Sequence, residues 1–322
     1  MREIVIKENE AGQRFDKFLG KYLKDASMGF LFKMLRKKNI TLNGKKATGK
    51  EKLVKGDIVK LFLSEETIEK FTGKVSIQYT DTKLDIIYED NNILLINKPS
   101  GMLSQKATQK DVSVNEHLIS YLLRSEELTM EDLKTFKPSI CNRLDRNTSG
   151  MIAAGKSLTG LQELSRMFKD RSMEKYYLCL VSGKVDAPQI IKGYLYKNEK
   201  TNKVTVLQEK KDDNSYIETH YRPIKSNDDV TLLEVLLVTG KTHQIRAHLA
   251  SCGHALIGDT KYGSTKVNEV FKKKYGLRNH LLHSYRIVFP RLTGSLENLS
   301  LKEFKAELPK SFKDIAVKEG VL

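Results

Sequence analysis

The sequence predicts an α+β protein: a large domain on a mostly antiparallel mixed sheet with flanking helices, preceded by a small α/β module. Three observations carry this. Between residues 175 and 238 apolar runs follow one another across short polar turns with few helical stretches, which favours antiparallel pairing over a doubly wound sheet. Residues 13–63 instead mix helical spacing with short β-runs. A chain of 322 residues is long enough for a domain of about two hundred or more with a smaller one attached.

From Gln13, the residues Phe15, Phe18, Leu19, Tyr22 and Leu23 follow the spacing of an amphipathic helix. A second helix, near Phe30 to Lys38, sets Leu31, Met34 and Leu35 on one face. It ends in Arg36-Lys37-Lys38, where cations complement the helix C-terminus. Ile40 to Leu42 is a short strand entering Asn43-Gly44, a strong two-residue hairpin signal, with Lys45-Lys46 next; Gly56-Asp57 opens a strand from Ile58 to Leu63. Ser64 to Thr72 carries Glu65, Glu66 and Glu69 without clear periodicity and is taken as linker. The expected division is 1–63, a linker at 64–80, and a catalytic domain at 81–322.

In the large domain, Leu84–Tyr88 and Ile93–Ile96 flank Glu89-Asp90-Asn91-Asn92 as a β-hairpin, which empties into the turn Asn97-Lys98-Pro99-Ser100-Gly101. A helix follows around Val114, Leu118, Tyr121 and Leu122, then a Glu-rich surface insertion at 125–137. Met151–Ala154 is a small strand, and Leu158, Leu161, Leu164 and Phe168 mark a helix. Strands recur at Tyr177–Val181, Ile190–Tyr196, Lys203–Leu207, Tyr216–Tyr221 and Val230–Val238.

Charge narrows the function class. The chain carries a net +16, and residues 1–75 hold 18 Lys or Arg against 10 Asp or Glu, half of the whole surplus. A concentrated basic patch is the footprint of nucleic-acid binding. No apolar run approaches the roughly 20 residues needed to cross a bilayer, and the N-terminus lacks the apolar core of a signal peptide. A cytoplasmic protein with no membrane partner is expected. Cys141, Cys179 and Cys252 form neither a disulfide framework nor a CxxC ribbon. Gly240-Lys241-Thr242 invites a phosphate-loop reading, but the position five residues before Gly240 is Val235 rather than glycine. His243, His248 and His254 lack the spacing and the companion ligands of a zinc site, so no metal is expected.

Asn142-Arg143-Leu144-Asp145-Arg146-Asn147-Thr148-Ser149-Gly150 is the most informative stretch. A carboxylate in a polar turn between apolar segments is poor core filling. The flanking guanidinium groups would keep Asp145 ionised and supply phosphate-binding neighbours. An acid held charged beside phosphate-seeking arginines suggests chemistry on a nucleic-acid sugar. Lys98, at a strand end, would reach a phosphate or support that site.

The two helices and the lysine-bearing hairpin resemble the S-four type RNA-binding domain, through Arg14 to Leu19, Leu31 to Lys38, Thr41 to Lys46 and Gly56-Asp57. That likeness implies that Arg36, Lys37, Lys38, Lys45 and Lys46 contact phosphates. Over nearly its whole length the chain resembles the RluA-type pseudouridine synthases. The carriers are Lys98-Pro99-Ser100-Gly101, Arg143-Leu144-Asp145 with Thr148-Ser149-Gly150, Lys175-Tyr176-Tyr177, and Thr239 to His248. Gly253-His254, Gly258-Asp259, Tyr262-Gly263 and Leu282-His283 also match. The family commonly has histidine where Asn142 stands and arginine where Lys241 stands; lysine offers a point charge without the bidentate fork.

The resemblance implies the pseudouridine synthase fold and an isomerase acting on specific uridines in RNA, with the attached module favouring large-subunit ribosomal RNA over transfer RNA, and the ribosome or its assembly precursors as partners. Reactant and product are isomers, so no cofactor is expected. It implies that Asp145 is the nucleophile or base, attacking the anomeric carbon or removing a ribose proton. It implies that Arg246 pairs with Asp145, and that Tyr177 stacks on the uracil or assists proton removal from carbon 5. Arg143 would fill the space left by a flipped base or clamp a phosphate, and Lys241 and His243 would face RNA. Two other readings share these features: a non-catalytic RNA-binding or assembly protein on the same fold, and an N-glycosidase releasing free base.

Overall fold

The computed structural model describes all 322 residues except 74, 75, 82, 199, 202, 212 and 213. It divides into two compact units: residues 1–83 with 115–139 and 156–159, and residues 84–114 with 140–155 and 160–322.

The first unit contains β1 (Arg2–Val5), α1 (Phe15–Tyr22), α2 (Met28–Arg36), β2 (Ile40–Leu42), β3 (Lys45–Lys46) and β4 (Ile58–Leu61), with strand order β1-β4-β2-β3, antiparallel throughout. The apolar faces anticipated for α1 and α2 form its core: Phe15, Phe18, Leu19, Leu31 and Leu35 are all buried. The Ser27 hydroxyl caps α2 by accepting the Phe30 N–H at 3.2 Å. Asn43 and Gly44 both take positive φ, the turn geometry whose twist matches a tight hairpin.

Ser64–Thr72 departs from the linker expected. Glu65–Thr72 is a helix, α3, whose N-cap Ser64 accepts the Thr67 N–H at 3.3 Å. Ile68 is buried in the same core, and Phe71 packs on Phe30 with ring centroids 4.7 Å apart. An apolar pair three residues apart holds this helix, too little for periodicity alone to reveal. Lys74 and Val75 of the expected linker lie outside the described residues. The 125–137 stretch joins this unit too: Tyr22 donates to Glu131 at 3.2 Å and Thr135 to Glu10 at 2.7 Å. The helix before it, α4 (Val114–Arg124), contributes His117, whose ring meets the Thr80 hydroxyl at 2.7 Å.

The second unit is built on one sheet. Its strands are β5 (Ile86–Glu89), β6 (Ile93–Lys98), β7 (Ser139–Ile140), β8 (Ser149–Gly155), β9 (Glu174–Ser182), β10 (Gln189–Asn198), β11 (Lys203–Leu207), β12 (Ser215–Ser226), β13 (Val230–Leu237), β14 (Leu282–Val288) and β15 (Glu303–Lys305). The main path runs β11-β10-β12-β13-β9-β14-β8-β6-β5, with β15 on β14 and β7 on β8. Helices α5 (Leu158–Asp170), α6 (Gln244–Ser251), α7 (Thr265–Tyr275) and α8 (Lys310–Lys318) complete it. The fold class is the α+β, mostly antiparallel arrangement expected.

Among the described strands, β14 and β8 are the one parallel pair, joined at His283↔Ser149 and Ser284↔Gly150. That pairing aligns the segments entering the two strands, so the Asp145 turn lies beside His280. On its other side β14 meets β9 with Ser284 opposite Tyr177, and β6 brings Lys98 opposite Gly150. Gly150 has φ 109°, and a Cβ there would overlap the Ser284 backbone. Only glycine permits β8 and β14 to approach this closely.

Gly150→Ala is therefore expected to destabilise the protein by about 3 kcal/mol or more, because strain and a backbone clash act together. Urea unfolding of the variant beside wild type measures it, and a difference under about 1 kcal/mol would contradict the close approach.

Candidate active site

The segments entering β8 and β14, the first half of β9 and the turn before α6 enclose a cleft of about 1080 Å³ lined by Arg143, Asp145, Tyr177, Lys241, His243 and Arg246 among others. Asp145 sits on its wall with the carboxylate partly open to it. The turn that carries Asp145 is tied down on both sides. Ser104 accepts the Leu144 N–H at 3.0 Å and donates to the Leu144 carbonyl at 2.7 Å. The Thr148 N–H closes back on the Asp145 carbonyl at 3.0 Å, and the Thr148 hydroxyl meets the His280 ring at 2.9 Å.

The partner of Asp145 is Arg246. Its Nη1 donates to Asp145 Oδ2 at 2.8 Å, while Nε and Nη2 grip Asp259 at 2.8 and 3.0 Å. Asp259 is fully buried and supplies the fixed end of the arrangement. The two bonds to Asp259 fix the guanidinium plane, and the remaining edge points at Asp145. Hydrogen bonds and charge from Arg246 hold the Asp259 carboxyl below its ordinary range, overcoming the opposing effect of burial.

Beside this pair, the Tyr262 hydroxyl accepts the Val204 N–H at 2.9 Å and meets His243 Nδ1 at 2.9 Å. His243 Nε2 lies 3.8 Å from Asp145 Oδ2. His243 takes a left-handed backbone at the N-terminus of α6, a sparsely populated conformation for a non-glycine residue. Burial lowers its pKa against the pull of Asp145, so at neutral pH the ring is uncharged. The ring lines the cleft as part of the Asp145 cluster.

Tyr177 is buried in the floor of the cleft and hydrogen-bonded to Ser284. Burial, with a smaller contribution from Asp145, pushes its phenol up to about 12. At neutral pH it offers a ring face and a protonated hydroxyl.

Of the two roles expected of Lys98, reaching a phosphate or supporting the site, the first is corrected. It is 0% exposed, and its ammonium donates to the carbonyls of Pro99 at 2.9 Å, Met102 at 2.9 Å and Arg146 at 3.0 Å. All three hydrogens are used internally, so it clamps the Asp145 turn to the end of β6 rather than meeting RNA. Burial brings it down to about 7, against a weaker upward pull from Asp145. The arginines flanking Asp145 are not its partners either: Arg146 Nε turns to the Gly101 carbonyl at 3.1 Å, and Arg143 is exposed along the cleft. Asn142 completes the edge of β8, accepting from the Ala153 N–H at 2.8 Å and donating to the Met151 carbonyl at 3.2 Å. Lys241 is exposed at the rim, and His248 and His254 go separately to the Thr219 hydroxyl and the Ser182 carbonyl.

A family model described as RNA pseudouridylate synthase matches residues 92–251. The ribosomal large subunit pseudouridine synthase C of Vibrio vulnificus is 31% identical over 295 residues, spanning 89% of this chain and 87% of that protein. The chain belongs to the RluA-type RNA pseudouridine synthases. An uncharacterised RNA pseudouridine synthase of Mycoplasma genitalium is 31% identical over 313 residues, 95% of each chain. The solved structure of human RNA pseudouridylate synthase domain containing 4 has a TM-score of 0.58 at 20% identity, over 73% of this chain and 92% of that one, which shows the shared fold.

In this synthase the structure brings Asp145, Tyr177, Arg246, Arg143, Lys241 and His243 to one cleft. In the first unit, Arg36, Lys37, Lys38, Lys45 and Lys46 are all exposed, at the end of α2 and on the β2–β3 hairpin. Sequence reasoning singled out Gly258-Asp259 and Tyr262-Gly263 but assigned those residues no role. A buried acid that must be paired, 13 residues beyond Arg246, was the available signal for Asp259.

Three buried rings make the fold sensitive to acid. Burial pushes His248, His280 and His283 each down to about 4 from an ordinary 6.5. Their folded pKa lies below the unfolded value, so the unfolded chain binds more protons between those limits. Stability is fully present above pH ~6.5 and declines as pH falls toward ~4, by on the order of 2–3 kcal/mol per ring. Denaturant unfolding across this range tests it; a flat profile would show that the rings accept protons without cost.

Proposed function

We propose that the synthase modifies uridines of large-subunit ribosomal RNA, with Asp145 as the group that acts on the ribose. The single observation behind the catalytic assignment is the Arg246 Nη1–Asp145 bond at 2.8 Å, which aims a carboxylate into a cleft from a buried anchor. The substrate assignment follows the names of relatives about 30% identical over most of the chain.

A target uridine leaves its stack and enters the cleft base first, as base-modifying enzymes require. An Asp145 oxygen then attacks the anomeric carbon as the bond to N1 breaks, or it takes the ribose 2′ proton and lets the uracil leave by elimination. The electron pair of the broken bond departs with the uracil. The base turns on the ring of Tyr177, and carbon 5 forms the new bond to C1′ as the Asp145–C1′ bond breaks, or adds to the glycal as C2′ regains its proton from Asp145. The carbon 5 proton is then lost to a base while N1 takes one up. Burial keeps Tyr177 protonated at rest, which favours stacking and hydrogen bonding over a standing role as that base. Arg246 holds Asp145 in one orientation through these steps. Arg143, exposed on the cleft, stacks in the vacated space or clamps a flanking phosphate, and Lys241 adds charge at the rim.

The S-four-like unit supplies an additional grip. Its two central residues of positive φ turn Lys45 and Lys46 onto an exposed hairpin, and Lys37 and Lys38 end α2, a surface suited to phosphates.

Asp145→Asn should abolish pseudouridine formation, to below about a thousandth of wild type, while changing RNA affinity little. Position-resolved pseudouridine mapping of large-subunit RNA with the variant and with wild type reads this directly. Turnover at the wild-type rate would refute the role of Asp145. Converting Lys37, Lys38, Lys45 and Lys46 together to Gln should flatten the dependence of binding on salt by about 0.7 in log–log slope for each phosphate no longer neutralised. An unchanged slope would remove the first unit from the RNA interface.

A further inference from the structure

Lys175 is the second residue of β9, two before Tyr177, so both side chains rise from one face of the strand about 7 Å apart. It is 8% exposed, and it lines the cleft. Among the described residues nothing accepts a hydrogen bond from its ammonium and no carboxylate pairs with it. The charge that acts on it is of the same sign: Arg171, exposed just beyond α5 and lining the same cleft. Burial first, and Arg171 second, push the Lys175 ammonium down. A nearly buried lysine is rarely kept without an anion, because desolvation is then uncompensated. Lys98, in the same unit, shows the alternative, with every hydrogen used on carbonyls. Lys175 has no such partners among the described residues, and it lines the cavity.

We propose that Lys175 and Arg171 form a phosphodiester-binding site, one nucleotide away from the uridine held at Asp145 and Tyr177. An RNA phosphate completes the pair: it neutralises two like charges, accepts from the buried ammonium and receives the planar fork of Arg171. Lysine at the buried position supplies a compact point charge at the end of a stem packed beside β14, where Ile287 is its strand partner. The site fixes the register of the strand, because gripping one linkage at this distance from Tyr177 presents a single nucleoside to Asp145. The proposal rests on the reading that RNA enters this cleft.

The test uses the full-length protein and a large-subunit ribosomal RNA fragment in which each backbone linkage near the target is replaced in turn by an uncharged methylphosphonate. Lys175→Met keeps the stem and removes the charge, so thermal unfolding should be unchanged or shifted upward. Its affinity for the unmodified fragment should fall about tenfold or more, as expected when one charged hydrogen bond is removed. Its salt slope should be shallower by about 0.7 to 0.9. Wild type should lose affinity when one particular linkage is neutralised, and Lys175→Met should be indifferent to that same change. Arg171→Ala should show the same insensitivity in part. A Lys175→Met protein with wild-type affinity and salt slope, or one that still responds to every linkage to which wild type responds, would overturn the site. Binding is measured without turnover, so a wild-type protein that binds the fragment but leaves its uridines unchanged would count against the proposed function alone.

Discussion

One guanidinium organises this molecule. Arg246 uses Nε and Nη2 on the buried Asp259 and has Nη1 left for Asp145. Neither acid would be tolerable in its place without it: Asp259 lies wholly inside the protein, and Asp145 projects from a turn into a cleft. A lysine would satisfy one charge and lose the plane that links the two. The cation also lies over the ring of Tyr262, 5.3 Å from its centroid, which covers one face of the plane. With its plane set by these contacts, the direction in which Asp145 is held follows.

The sheet supplies the rest of the geometry. A parallel step between β8 and β14 inside an otherwise antiparallel array brings two strand entrances together, and Gly150 makes the approach possible. From that junction Asp145, His280 and Lys98 take their places, with Tyr177 one strand away. Chemistry-bearing residues distant in sequence therefore meet because of strand order, while helix α6 brings Arg246 by packing Ala247 against Leu195, Val204 and Ile217.

Much of this was legible in the residues. The antiparallel strands of the large domain announced themselves by composition and turn spacing, and the Asp145 turn stood out because a lone acid between apolar segments must have a purpose. What stayed hidden depends on direction and on distant partners. Arg143 and Arg146 adjoin Asp145 in the chain but point elsewhere, since neighbours along a turn do not share a face. Lys98 looks like any lysine at a strand end; the carbonyl of Arg146, 48 residues on, is part of what makes its burial tolerable. Strand β14 was missed because His283 and Ser284 interrupt its apolar run, and both are polar for a reason visible only in three dimensions: His283 bridges Ser149 and the Ala306 carbonyl, and Ser284 meets Tyr177. Helix α3 is eight residues long and Glu-rich, too short for its apolar contacts to form a period.

The turn bearing Asp145 is stitched to its surroundings through Ser104, Lys98, Ser100 and His280. On the proposed function, a turn fastened at so many points leaves the deformation needed for the encounter to the RNA. Uridines in bulges, loops or weakly stacked junctions are already part of the way to the shape the pocket demands, and a rigid mould of this kind selects among chemically identical nucleotides by how readily each one yields.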